Sequence, residues 1–206
     1  MPENSTPKRQ RAHRVDPRDP FVYDIREMGR QPGTMREHRR TVPAPAGLGL
    51  DLIAVPEGAP LDVDVRLEAV TEGVLVTGMV TAQLVGDCGR CLEPVSEQLV
   101  VDFVELFAYP DSTTDETTDQ DEVHRVEDDY VVIEPVVRDA VVLGLPFAPL
   151  CQPDCGGLCP ECGQRVDDLP ADHTHEKLDP RWAALAGFAE LDAAPDQLPD
   201  ETPDQY

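Results

Sequence analysis

An α+β fold, mainly antiparallel β-sheet with one packed helix, is what this sequence predicts, and three patterns predict it. Between Pro56 and Phe107, apolar and polar residues alternate with a period of two. From Glu134 to Leu145 the apolar spacing changes to that of a helix. Beyond that helix, Cys151, Cys155, Cys159 and Cys162 fall within twelve residues, so the sheet is expected to give way to a Cys-rich segment and then a short C-terminal helix.

The elements follow in order. Residues 1–19 are rich in Pro, Arg and Asp without apolar periodicity, and are expected to form a disordered arm. One domain is expected over 20–188. Phe21-Val-Tyr-Asp-Ile25 is a strand candidate, and the glycines and proline of Met28 to Met35 mark a loop. Arg36, His38, Arg39 and Arg40 form a basic cluster. It reads either as a contact for a partner or RNA, through Arg36, Arg39 and Arg40, or as a solvated strand face. Leu61, Val63, Val65 and Leu67 alternate with Asp62, Asp64, Arg66 and Glu68, which predicts a half-buried strand. Thr71-Glu-Gly73 predicts a turn, with Val74 to Val85 returning as a hairpin partner. Cys88-Gly-Arg-Cys91 interrupts the strands, and Leu99 to Phe107 resumes them, so residues 51–108 are expected to form the sheet. Acidic residues 111–122 contain nothing apolar and predict a mobile loop. Tyr130 to Ile133 predicts a brief strand. Glu134-Pro135 then supplies an acid and a proline where a helix begins, with Val136, Val137, Ala140, Val141 and Leu145 on its inner face. Gly144 and Pro146 should end it. Asp179-Pro-Arg-Trp182 opens the last predicted helix, with Trp182, Leu185 and Phe188 inward; residues 189–206, with six acids and no base, predict a disordered tail.

The Cys-rich segment, 151–175, has the composition of a zinc site. Cys159-Pro-Glu-Cys162-Gly163 has the form of a knuckle, in which two thiolates reach one tetrahedral ion from a tight turn. Four of Cys151, Cys155, Cys159, Cys162, His173 and His175 are expected to hold one structural zinc, Cys159 and Cys162 foremost. His173 and His175, two apart in an extended piece, would point to the same side. The competing reading is that the cysteines are buried residues without an ion. Cys88 and Cys91 read either as a second knuckle, pairing with Cys159 and Cys162 in a zinc ribbon, or as a redox dithiol. Against redox, no helix begins at the motif, and Asp87 and Glu93 should raise the thiol pKa, although Arg90 opposes them.

Charge narrows the function further. The chain has 206 residues, with 17 Lys and Arg against 41 Asp and Glu, a net −24. Residues 1–40 carry about +4, with ten basic against six acidic residues, and the remainder −28. Such a body repels nucleic-acid backbone and anionic lipid and attracts a basic protein, leaving the N-terminal arm as the place for any RNA contact. The polar N-terminus lacks a signal-peptide pattern, and the longest apolar run, Val136 to Leu150, is broken by charges and prolines. A cytoplasmic protein without a membrane span is therefore expected, in a compartment where clustered cysteines point to metal or redox chemistry. No nucleophile triad, phosphate-binding glycine loop or zinc-protease helix motif is present, so no enzymatic activity is expected.

The order of segments resembles the large ribosomal RNA subunit accumulation (YceD-like) family, most closely its actinobacterial members. The resemblance runs over residues 19–188. It is carried by Asp19-Pro-Phe-Val-Tyr-Asp24, Arg30-Gln-Pro-Gly-Thr-Met-Arg36, Gly73-Val-Leu-Val-Thr-Gly78 and Cys88-Gly-Arg-Cys-Leu-Glu-Pro94. Further along it is carried by Cys155-Gly-Gly-Leu-Cys-Pro-Glu-Cys-Gly163 and Asp179-Pro-Arg-Trp-Ala-Ala-Leu185. Many relatives carry Cys-x-Cys where this chain has His173-Thr-His175, a replacement that zinc accepts and a disulfide does not. The resemblance implies a non-enzymatic factor supporting accumulation of large-subunit (23S) ribosomal RNA, and so ribosome biogenesis. Taken with the acidity, it implies a basic ribosomal or assembly protein as partner. Two other classes compete: a thiol redox protein using Cys88 and Cys91, and a zinc-stabilised acidic interaction module with a non-ribosomal partner.

Overall fold

The computed structural model describes residues 15–112 and 123–175. Most of the expected N-terminal arm and acidic loop lie outside the described residues, as do the whole predicted C-terminal helix and the acidic tail. The chain divides into two compact units, Met1–Gly157 and Leu158–Tyr206.

The first unit is a five-stranded antiparallel sheet with one helix and a separate two-stranded ladder. Its strands are β1 (Val22–Asp24), β2 (Met35–Pro43), β3 (Ile53–Ala54), β4 (Pro60–Val70), β5 (Gly73–Asp87), β6 (Pro94–Ala108) and β7 (Tyr130–Val132), followed by α1 (Glu134–Gly144). Strand β5 is the axis: β6 pairs with all of it on one edge, while β4 takes residues 73–82 of the other edge and β3 continues at Val85 and Gly86. Only Thr71 and Glu72 separate the paired residues Val70 and Gly73, so β4 and β5 form the expected hairpin.

Register follows from the alternation. Leu61, Val63, Val65, Leu67 and Ala69 of β4 face inward with Val74, Val76, Val80, Ala82 and Leu84 of β5, all buried. Each such side chain removed from water contributes about 1.5–3 kcal/mol if it is the size of Val or Leu, so a one-residue slip would be prohibitive. At Gly78 the ring of Phe103, its cross-strand partner, takes the space a side chain would need: a Cβ there would stand 2.2 Å from Cζ. Val136, Val137 and Val141 of α1 complete the core, and Gly144 rests against Val101. Glu134 accepts from Arg138 one turn later at 2.6 Å, and Arg138 also donates to the Ala46 carbonyl at 2.8 Å, tying the helix to the loop before β3.

The sheet extends beyond the predicted 51–108 because β2 pairs with β4 over its whole length. This edge strand is polar enough to conceal its alternation: Val42 is its sole buried residue. Likewise β1 and β7, each short, find one another as a two-stranded ladder, with Tyr23 opposite Val131. Among the described residues no helix is long and apolar enough to cross a membrane.

Candidate metal centres

All six cysteines are free thiols, and they divide between the two units. Cys88, Cys91, Cys151 and Cys155 gather in the first; Cys159, Cys162, His173 and His175 gather in the second. In each group the ligand atoms lie within 4.8 Å of one another, so each could hold a metal ion.

The first group begins where β5 and β6 separate. Cys88 and Cys91 sit on the turn between these strands. The Cys88 amide donates to the Glu93 carbonyl at 2.8 Å, and the Leu92 amide returns to the Cys88 carbonyl at 3.0 Å. Cys151 and Cys155 arrive on the segment after α1. It is fastened to the turn by the Gly89 amide donating to Pro149 at 2.8 Å and by Arg90 donating to the Cys155 carbonyl at 2.9 Å. The sulfurs of Cys88 and Cys155 are 3.8 Å apart, and those of Cys91 and Cys151 are 3.5 Å apart. An ideal tetrahedral zinc with Zn–S of about 2.3 Å has sulfur–sulfur edges of about 3.8 Å, so these thiols stand close to the geometry the ion imposes. A disulfide would need about 2.05 Å.

The second group repeats the same turn. Cys159 donates its amide to Gln164 at 2.7 Å, and the Gly163 amide returns to the Cys159 carbonyl at 2.9 Å. The residue after the second cysteine is left-handed in both turns, with φ of +61° at Leu92 and +69° at Gly163. Only the second turn places glycine there, where the missing Cβ makes that conformation free of cost. Cys159 Sγ lies 3.3 Å from His175 Nε2, and Cys162 Sγ 3.7 Å from His173 Nε2. A tetrahedron with Zn–S of about 2.3 Å and Zn–N of about 2.05 Å has S···N edges of about 3.6 Å, which these distances bracket.

The electrostatics single out one cysteine in each group, Cys88 and Cys159, as a ready thiolate. Desolvation pushes the Cys88 thiol up, but the backbone amides of Arg90, Cys151 and Cys91 aimed at its sulfur outweigh that and bring it to about 6. The sequence expectation that Asp87 and Glu93 hold this thiol up is thus overturned, the amides setting its direction. Cys151 is pushed up to about 12, first by its hydrogen bond with Cys91 and then by desolvation. Cys155 is raised as well: the Gly157 amide lowers it, but desolvation and the contacts with Cys91 and Cys88 outweigh that. A divalent ion at this set would favour the thiolate form. Cys159 is brought to about 6 by the amides of Cys162 and Glu161, then by His173.

The sequence reading leaves the partners of Cys159 and Cys162 open among Cys151, Cys155, His173 and His175, and offers a ribbon in which Cys88 and Cys91 join Cys159 and Cys162; the structure does not form that ribbon. The structure sets Cys151 and Cys155 with Cys88 and Cys91 and groups Cys159 and Cys162 with both histidines. The signal that could have found this is arithmetic: six cysteines and two histidines supply eight donors, twice what one tetrahedral ion needs.

The basic cluster lies on β2, where alternation separates it. Arg39 faces outward and pairs with Asp64; Arg36 stands 3.5 Å from Glu27. Arg40 turns inward, donates to the carbonyls of Pro20 and Val22 at 3.1 and 3.2 Å, and covers the Tyr23 ring. Its role in the structure is to hold β1 against β2.

Comparison with known proteins adds the following. The family model described as large ribosomal RNA subunit accumulation protein YceD matches residues 76–189. An uncharacterized protein of Mycobacterium tuberculosis is 55% identical over 166 residues, covering 81% of this chain and 80% of its own. One from Mycobacterium leprae is 46% identical, over 81% and 76%. YlbN of Bacillus subtilis, also uncharacterized, is 27% identical over 65% of this chain and 77% of its own. No solved structure matches the chain.

Proposed function

The chain belongs to the YceD family of large ribosomal RNA subunit accumulation proteins, and on that premise we propose that it is a non-enzymatic factor for accumulation of large-subunit (23S) ribosomal RNA, working by binding a basic ribosomal or assembly protein. The family match over 76–189 carries the reading. Surface chemistry supports the kind of partner. On the outer face of the sheet, Met79, Val100 and Val104 are 39%, 52% and 63% exposed, and Asp62 and Asp102 stand among them. That mixture suits a partner with apolar and Lys/Arg side chains.

The arginines argue the same way. Arg26, Arg30, Arg36, Arg39, Arg66, Arg138 and Arg165 each lie beside a carboxylate of the same chain. Their charge is already answered, so the folded body has little to offer a phosphate backbone. Any RNA contact in this reading belongs to residues 1–40, where ten basic residues stand against six acidic ones, and on β2 it would have to draw Arg36 and Arg39 away from Glu27 and Asp64. The metal, where bound, is structural zinc, the ion suited to tetrahedral sulfur and imidazole donors.

The test has two parts. Deleting the gene should lower large-subunit ribosomal RNA more than small-subunit RNA. Affinity capture should retrieve a basic protein that survives RNase and is released by salt. Equal loss of both RNAs, or tight RNA binding that persists in the full chain when the basic residues before Thr41 are neutralised, would overturn the proposal.

A further inference from the structure

The eight donors are not a reserve from which one ion takes four. We propose that the chain binds two metal ions at separate sites with different duties. One is an all-thiolate site of Cys88, Cys91, Cys151 and Cys155 that braces an already folded sheet. The other is a mixed site of Cys159, Cys162, His173 and His175 on which residues 158–175 depend for their fold. This rests on the zinc reading above and adds to it the number of ions, their ligands and what each one holds.

Three observations carry the division. First, each tetrad closes on itself within one unit, with donor spacings that match a tetrahedral edge for its own donor types. Second, the knuckle hydrogen bonds are formed twice, each around its own pair of cysteines, so neither pair is left over for the other. Third, the surroundings differ. The first tetrad belongs to a unit with a continuous apolar core, on the turn that closes the β5–β6 ladder, and Cys88, Cys91 and Cys155 are buried. Among the described residues of the second unit, Cys159 is the one buried hydrophobic side chain, and it is itself a ligand. A short segment with so little apolar burial cannot offset the entropy of ordering its backbone, about 1–2 kcal/mol per residue. An ion that converts binding energy into folding energy can.

The experiment uses the full chain purified without added metal. Native mass spectrometry with elemental analysis should find two zinc ions per chain. After exchange with cadmium, 113Cd NMR should give two signals, the one further downfield from four thiolates and the other from two thiolates and two imidazoles. This counts sites and donors in the unaltered protein, so it stands even if a variant fails to fold. The pair Cys88→Ser and Cys91→Ser should erase the four-thiolate signal and one zinc. The pair His173→Ala and His175→Ala should erase the other. One zinc per chain with a single cadmium signal, or loss of both signals in either variant, would overturn the two-site proposal while leaving zinc in place. A chain that takes up no metal would overturn the zinc reading itself.

Discussion

The two cysteine knuckles share a backbone and live in opposite surroundings. Around Cys88 and Cys91 the turn is gripped on both sides by the β5–β6 ladder, from Asp87 opposite Pro94 inward. Around Cys159 and Cys162 it is flanked by one isolated bridge, Leu158 with Arg165, and a single 3-10 turn at Val166–Asp168. The difference teaches that an identical ligand motif can be an accessory or a foundation, depending on how much apolar surface its neighbours bury without it.

The largest effect that would test this contrast is Cys159→Ser. Residues 158–175 should then lose amide protection and approach coil-like exchange, while β4, β5 and β6 stay protected. Structural zinc contributes roughly 10–16 kcal/mol apparent in finger peptides, far more than this segment can replace. Continued protection of 158–175 in hydrogen exchange would break the comparison. A smaller loss is expected for Cys88→Ser: of the order of 3 kcal/mol, seen as a Tm lower by roughly 10 °C with the sheet still cooperative. Gly78→Ala sharpens the contrast from the other side. Its new Cβ meets the Phe103 ring, and overpacking of this kind costs about 1–3 kcal/mol. The melting of the sheet should shift with no change in metal content.

A subtler trial exchanges the left-handed residues. Leu92→Gly relieves a conformation that costs a branched residue about 1–2 kcal/mol, part of which the looser unfolded chain takes back. The net gain should be under about 1 kcal/mol in denaturant unfolding. Gly163→Leu should weaken the second knuckle, read as faster zinc transfer to a chelator. The smallest expected effect involves His38 on β2. Burial, then Arg40 and Arg36, lowers its pKa. A depressed value means the folded state resists the proton. The contribution to stability is therefore full above the unfolded value of about 6.5 and falls away as pH drops below it. His38→Gln should flatten that acid limb in pH-dependent unfolding.

How legible was this in the sequence? The sheet strands were, because Leu61 to Leu67 and Val74 to Leu84 announce their buried face by strict alternation. The helix start was, since Glu134-Pro135 is a local signal. Strand β2 was legible only as one of two readings of its basic cluster, a solvated strand face, and its pairing was not: its inward positions include His38 and Arg40, whose placement is decided by Tyr23 arriving from β1. The first tetrad was hidden for a related reason. Cys88 and Cys151 are brought together by the return of α1 across the sheet, a consequence of packing that spacing along the chain does not encode. What was legible at the second site is what is local, a knuckle and two histidines within seventeen residues, Cys159 to His175.

The ladder between β1 and β7 sets a timetable for folding. Val22 pairs with Val132, and the Phe21 carbonyl accepts from Ile133. During synthesis, at about 5–20 residues per second, the hairpin of β4 and β5 can form as soon as it emerges. The segment bearing Phe21 and Tyr23 must wait until more than a hundred further residues have followed. Through that interval two aromatic side chains destined for the core remain without their partner strand. In a nascent chain stalled before Tyr130, Arg40 and His38 of β2 would be what holds this segment, without the β7 ladder that completes it.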